Sequence, residues 1–385
     1  MLLIAIVFAG CTKQNPDFCP NHPDDPRCGG MIDGGVDGDG NLIIDAPDGG
    51  NGCVGSGVFE ICPMGAATGT KMLSGPIDTN GTMCHSTQLW AGGGQTTSCF
   101  IVAAMITVQN VTVTGSRPLV LVASNEINVT GHLDAASHVS PASTGPGLPA
   151  TPCGTFAAAP QSDSGAGGGA GASFAMIGGK GGNGGSGNNG AANEGLAYNT
   201  FLTAPPGLFR AGCDGQTGAT GNGGGGMGGR GGGAVMLAAP TIQLGAAAII
   251  NASGAGGQQA LKAAGGGGGG SGGMILMHAT TFSITSGAIV LANGGSGSSG
   301  GDGNNSGVGV RGNDPNPTDP TTAAAGGDGV GGTGGNGFAG ISLATAGMPG
   351  ISGAGGGGGG GAGGYIQSNM PLTSASVSPA ANVVP

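Results

Sequence analysis

Charge is scarce in this 385-residue sequence, which carries nine Lys and Arg, 19 Asp and Glu and no basic cluster. So few cations argue against a nucleic-acid partner, whose phosphates need a basic footprint. Aromatic residues are as thin, with ten Phe, two Tyr and one Trp, and a conventional enzyme core is not expected. Nowhere does an apolar run reach the roughly 20 residues that span a bilayer as a helix. Helix start and stop signals are nearly missing. No CxxC pair occurs, and His22 and His85 do not stand at finger spacing, which argues against zinc. Glycine-rich motifs match by chance: GxGxxG recurs without a βαβ context, and no GK[ST] follows. Ser271 and Ser299 both satisfy GxSxG, but neither sits on a strand-to-helix elbow. The five His are scattered, and no catalytic residue, cofactor or enzyme activity is expected.

Glycine is what the sequence has in excess, 95 residues of it. Glycine brings no side chain to bury and loses the most backbone freedom on folding. A core must therefore come from the short segments that carry Val, Ile, Leu and Met. The slightly positive mean hydropathy is unlike that of a highly charged disordered chain.

Met1-Leu-Leu-Ile-Ala-Ile-Val-Phe-Ala-Gly-Cys11 is an apolar run ending in small residues before a cysteine, and resembles a lipoprotein signal peptide with its lipobox. Cleavage and lipidation at Cys11 would let acyl chains hold the product at a membrane. Two features depart from the pattern: no Lys or Arg precedes the apolar run, and Phe8 stands where Leu is usual. The other eight cysteines, Cys19, Cys28, Cys53, Cys62, Cys84, Cys99, Cys153 and Cys213, are even in number and suit an oxidising compartment. Their spacing favours neighbouring pairs among 105 possible connectivities.

Residues 12–52 hold eight Asp against Lys13 and Arg27, with Pro, Asn and Gly between, and read as an acidic tether. Within it Asp33, Asp37, Asp39 and Asn41 form part of a calcium-loop pattern. The third position is Gly35 and the twelfth Ile44, so a plain linker is the better reading.

An internal repeat governs the body. Ala234–Ser253 aligns without a gap to Met274–Asn293, at an offset of 40. Leu119–Ala136 follows the same plan with two residues fewer at its second bend, and Ile106, Val108, Val111 and Val113 suggest a further turn before it. Each unit reads as three short apolar stretches, the middle one alternating as Ile127/Val129, Ile242/Leu244 and Phe282/Ile284, which is strand periodicity. Three strands in about 20 residues make one coil of a parallel β-solenoid; a β-sandwich is the rival. The glycine tracts, about 137–233, 254–273 and 294–364, leave from matched places in the repeat and must run beside one another. Gly178-Gly-Lys-Gly-Gly-Asn-Gly-Gly-Ser186 has the three-residue period of an extended threefold helix, with irregular loops as the alternative.

Cys53-Val-Gly-Ser-Gly-Val58, Ile61-Cys62, Ile77-Asp-Thr79, Cys84, Cys99, Thr112–Val122 and Leu133-Asp-Ala-Ala-Ser-His138 resemble an uncharacterised family of glycine-rich, disulfide-containing secreted lipoproteins of Gram-negative bacteria. The resemblance covers about residues 53–365. It implies export and this architecture, and brings no activity or binding residues.

The expected plan is all-β: parallel β-solenoid coils with long glycine-rich excursions, polyglycine II-like or loop, from one edge. Along the chain these are a signal peptide and lipobox (1–11), the tether (12–52), disulfide-braced N-terminal coils (53–136), a glycine-rich body with repeat coils at 234–253 and 274–293 (137–364), and a C-terminal tail (365–385). The expected function is that of a lipid-anchored outer-membrane or cell-surface protein with a structural, adhesive or binding role, its partners being the membrane and a polysaccharide or another cell. A polysaccharide-active solenoid enzyme (lyase or hydrolase), with Glu126 and Asp134 as its nearest carboxylates, and an ice- or matrix-binding protein are the alternatives.

Overall fold

The computed structural model describes residues 53, 57–62, 67–85, 87–91, 95, 97–148, 153, 159, 161–185, 207–303 and 307–384. Cys11, the tether with Asp33, Asp37, Asp39 and Asn41, and Cys19 and Cys28 lie outside these residues. The chain divides into two units, Met1–Gly50 and Asn51–Pro385, and the described residues all belong to the second. Apart from a single 3-10 turn at Gly57–Phe59, the regular structure among the described residues is strand. In chain order the strands are β1 (Thr70–Asp78), β2 (Cys99–Thr114), β3 (Leu119–Val129), β4 (His132–Asp134), β5 (His138–Val139), β6 (Ala142–Ser143), β7 (Ala234–Leu244), β8 (Ile249–Asn251), β9 (Met274–Ile284), β10 (Ile289–Leu291), β11 (Tyr365–Ser368), β12 (Ser376–Ser378) and β13 (Asn382–Val383).

All but β5 and β6 belong to one parallel sheet with β2 as its pivot. Cys99–Val108 of β2 pairs with β3, while Val111 and Thr112 pair with β4. One row continues β3, β7, β9, β11, β13 and the other β4, β8, β10, β12. β1 pairs with β2 along both halves, from Thr70↔Met105 to Asp78↔Thr114. A single core gathers Ile101, Leu121, Leu237 and Ile275 from the first row with Leu133, Ile250 and Val290 from the second. Alternate residues of the long strands, Phe100, Val120, Met236 and Leu276, point the other way and are buried with Phe174 and Phe209. Burial on both faces explains why these strands read as continuous apolar runs.

The repeat is visible as register. β7 pairs with β9 from Ala234↔Met274 to Leu244↔Ile284, and β8 with β10 from Ile249↔Ile289, every pair 40 residues apart. Between Val129↔Leu244 and His132↔Ile249 the separation grows from 115 to 117, which puts the two missing residues of the first unit at its second bend.

Two expectations are corrected. The first two stretches of each unit run together as one strand of eleven residues, so a unit is a long strand and a short one; Pro240, which has no N–H to give, marks the place where the sequence suggested a break. Residues 365–385 are not a tail: Tyr365–Ser368 pairs with β9, Ser376–Ser378 with β10 and Asn382–Val383 with β11, and Ile366 covers the last rung of the core. Thr70–Asp78, with Gly75 and Pro76 in its middle, is an edge strand that turns only Leu73 and Ile77 inward.

The glycine-rich segments bond to one another with a period of three. In 354–364, Gly355, Gly358 and Gly361 donate their N–H groups to Gly301, Ser298 and Gly295; Gly356, Gly359 and Ala362 donate to Ala166, Gly169 and Ala172; Gly357 and Gly360 donate to Met348 and Thr345. Its carbonyls accept from three further segments, through Gly266, Gly269 and Gly272, through Gly179, Gly182 and Gly185, and through Gly332, Gly335 and Phe338. Six segments thus surround this one, and every N–H and carbonyl from Gly355 to Ala362 is paired. A Cβ on Gly358 would overlap Gly267 O, and one on Gly268 would overlap Ala170 O; only glycine permits that approach.

Segments 263–273, 292–301 and 354–364 are wholly buried and contain only Gly, Ala, Ser and Asn. Their serines complete the bonding: Ser298 Oγ donates to Gln258 O at 2.6 Å and accepts from Gly267 N. Outer segments carry a larger residue at every third place, such as Ile177, Lys180 and Asn183, or Met227 and Arg230. The GGX pattern therefore records two faces turned inward and one outward.

Candidate functional site

A concave feature forms where the hairpin β5–β6 meets the outer glycine segments. It is a cleft of about 450 Å³ bordered by His138, Ser143, Thr217, Met227, Arg230 and Gln258. A second, shallower cleft of about 350 Å³ shares Met227 and Gln258 and extends to Gln259, Leu261 and Arg311.

The period of three positions the charged groups. Gly215 N donates to Gly229 O across an antiparallel pair of segments, which sets Asp214 beside Arg230. Arg230 Nη1 lies 2.5 Å from Asp214 Oδ2, and Asp214 Oδ1 accepts from Gly231 N at 2.9 Å. His138 Nε2 lies 3.0 Å from Asp134 Oδ2, and its Nδ1 is 3.6 Å from Asp314 Oδ2. Both carboxylates are held in turn: Asp134 Oδ1 accepts from Asn251 Nδ2, while Asp314 accepts from Val139 N and Gly256 N. The Asp134 hydrogen bond, reinforced by Asp314, raises the His138 pKa to about 10 against the pull of burial. At neutral pH the imidazole is a cation with both nitrogens protonated, a clamp between β4 and the segment at 314, and has no lone pair for use as a general base.

Glu126 and Asp134 have separate partners: Glu126 Oε2 accepts from Gln243 Nε2 at 2.7 Å, and Asp134 holds His138. His278 pairs across the sheet with Ala238, and burial lowers its pKa. Ser271 and Ser299 sit in glycine segments, where their Oγ atoms accept from Cys213 N and Val310 N.

Among the described residues, three disulfides join neighbours in sequence, Cys53–Cys62, Cys84–Cys99 and Cys153–Cys213. Glu60 lies close to the first, but oxidised sulfurs do not serve as thiolate ligands. Beside the third, the buried Arg210 lies 4.5 Å over the Phe174 ring and donates to Ala211 O; burial lowers its pKa to about 10. Cation–π attraction offsets part of that desolvation.

Sequence reasoning did not single out His138, Asp314, Asp214 or Arg230. Asp214 and Arg230 were within reach of the three-residue period, since each adjoins a glycine that the antiparallel pairing brings together. His138 and Asp314 are far apart in the chain, and no local signal links them. No family model, curated protein or solved structure matches this chain.

Proposed function

We infer that this chain is an exported, lipid-anchored surface protein with a structural, adhesive or binding role, related to the secreted glycine-rich lipoproteins that its sequence resembles. Cys11 carries the lipid, the acidic segment 12–52 spaces the body from an outer membrane or cell surface, and the body is a parallel β-solenoid whose excursions form a bundle of polyglycine II-like helices. The observation that carries this reading is the bonding around 354–364, in which six neighbours satisfy one glycine segment and larger side chains remain only on outer rows. Such a bundle displays side chains on a rigid frame at little ordering cost, which favours binding. The disulfides are compatible with an exported protein.

A non-catalytic role is part of the proposal. Asp134 and Asp314 are both committed to His138, whereas a glycosidase keeps one carboxyl for the acid and one for the base or nucleophile. Intact-mass and peptide mass spectrometry of the protein recovered from a membrane fraction tests the anchor. Diacylglyceryl and acyl groups on an N-terminal Cys11 are expected, and an unmodified Cys11 or cleavage elsewhere overturns it. Protease shaving of intact cells tests surface exposure, with loss of the body expected.

A further inference from the structure

We propose that the joined cleft between the β5–β6 hairpin and the outer glycine segments binds a neutral, hydroxyl-rich glycan chain. This rests on the surface-binding reading and names what the surface takes.

Shape is the first support. The two clefts, about 450 and 350 Å³, meet at Met227 and Gln258, and each falls within the range of small-ligand sites. Joined end to end, they form a trough suited to successive units of a chain.

Charge selects the class. The cations at the trough are His138, Arg230 and Arg311, and the anions held against them or bordering the cleft are Asp134, Asp214 and Asp314. Three stand against three, so the trough offers neither the net positive field that a polyanion needs nor the negative field that draws a cation.

The lining groups match hydroxyls. Asp214 holds the Arg230 fork in place. The Gln258 backbone is fixed on both sides, its N–H donating to Met227 O and its carbonyl accepting from Ser298 Oγ. The amides present a donor and an acceptor in one plane and the guanidinium groups paired donors, a geometry that neighbouring hydroxyls of a pyranose, each donor and acceptor, satisfy. Met227, 64% exposed, offers an apolar contact for the C–H face of a ring. A peptide is disfavoured because the lining backbone is already used: Gly229 N donates to Gly268 O and Gly256 N to Asp314, leaving no ladder for an added strand.

Affinity electrophoresis and calorimetry of the full chain with dextran, a β-1,3-glucan and galactomannan, set against alginate, test this. At least one neutral polysaccharide is expected to bind, and alginate is expected to bind at least tenfold more weakly. The double variant Gln258→Ala/Gln259→Ala should weaken binding about tenfold with its melting temperature unchanged. Arg311→Gln, at the shallow end and away from the ion pairs, provides a second variant whose folding is not in question; it should weaken binding severalfold. Binding of alginate alone, failure to bind any of the three neutral chains, or both variants binding like the parent overturns the proposal. Lipidated Cys11 and surface exposure without glycan binding would remove the glycan and leave the surface reading standing; an unlipidated, shielded protein that binds glycan would do the reverse.

Discussion

The strand rows and the glycine bundle lie in one unit and are built on opposite chemistry. In the rows, side chains do the packing: Ile101, Leu121, Leu237 and Met277 stack on one another while the backbone is spaced by the sheet ladder. In the bundle the backbone packs on itself, and a side chain at an inner position is an obstruction. A core of the first kind is sensitive to atoms removed, and a core of the second kind to atoms added. Apolar area supports the rows, whereas satisfied peptide groups and dense backbone contact support the bundle.

The largest effect should come from adding a side chain to the bundle. Gly358→Val forces a branched group onto Gly267 O, and loss of the cooperative thermal transition seen by circular dichroism is expected; a melting temperature within a few degrees of the parent would break the comparison. Next is the covalent tie between the bundle and its flank. Replacing Cys153 and Cys213 by Ser releases a loop of 60 residues and should cost about 4 kcal/mol in urea unfolding. A loss below about 1 kcal/mol would show that the bundle needs no tie.

His138 gives a pH-dependent effect of intermediate size. Its pKa is raised from 6.5 to about 10 in the folded protein. The stabilisation is therefore complete below pH 6.5, declines as pH rises toward 10 and is gone above it. The stability difference between the parent and His138→Gln should be about 1–2 kcal/mol at pH 6, discounted for partial exposure, and close to zero at pH 10.5. A difference independent of pH would mean that packing, and not the ion pairs, is what His138 supplies.

Removing one methylene from the rows is milder: Ile250→Val should cost about 1 kcal/mol. Smallest is a change on an outward row, where Thr333→Ala should stay within about 0.5 kcal/mol. If Thr333→Ala cost as much as Ile250→Val, outer and inner places would not differ as described.

Legibility in the sequence followed the same division. The offset of 40 between Ala234–Ser253 and Met274–Asn293 was readable because side chains set the register of the rows, and the two-residue deficit after Val129 could be placed for the same reason. The junction at Pro240 was not, since whether a strand bends or breaks depends on neighbours that one sequence window does not contain. Tyr365–Ser368 was too short to show a period. GGX triplets showed a three-residue period, but which neighbours each segment touches depends on bonds between residues far apart, such as Gly359 with Gly169. The cleft inherits that difficulty, because His138, Asp214 and Asp314 meet only once the bundle has formed.

The place left free in each GGX triplet has a consequence over evolutionary time. Two residues of three are held fixed by neighbours, while the third, as at Ile177 or Met227, is turned to solvent. A lineage carrying this frame could rewrite what it presents by substitutions at those third places alone, in the way that a type case keeps its grid while the letters change.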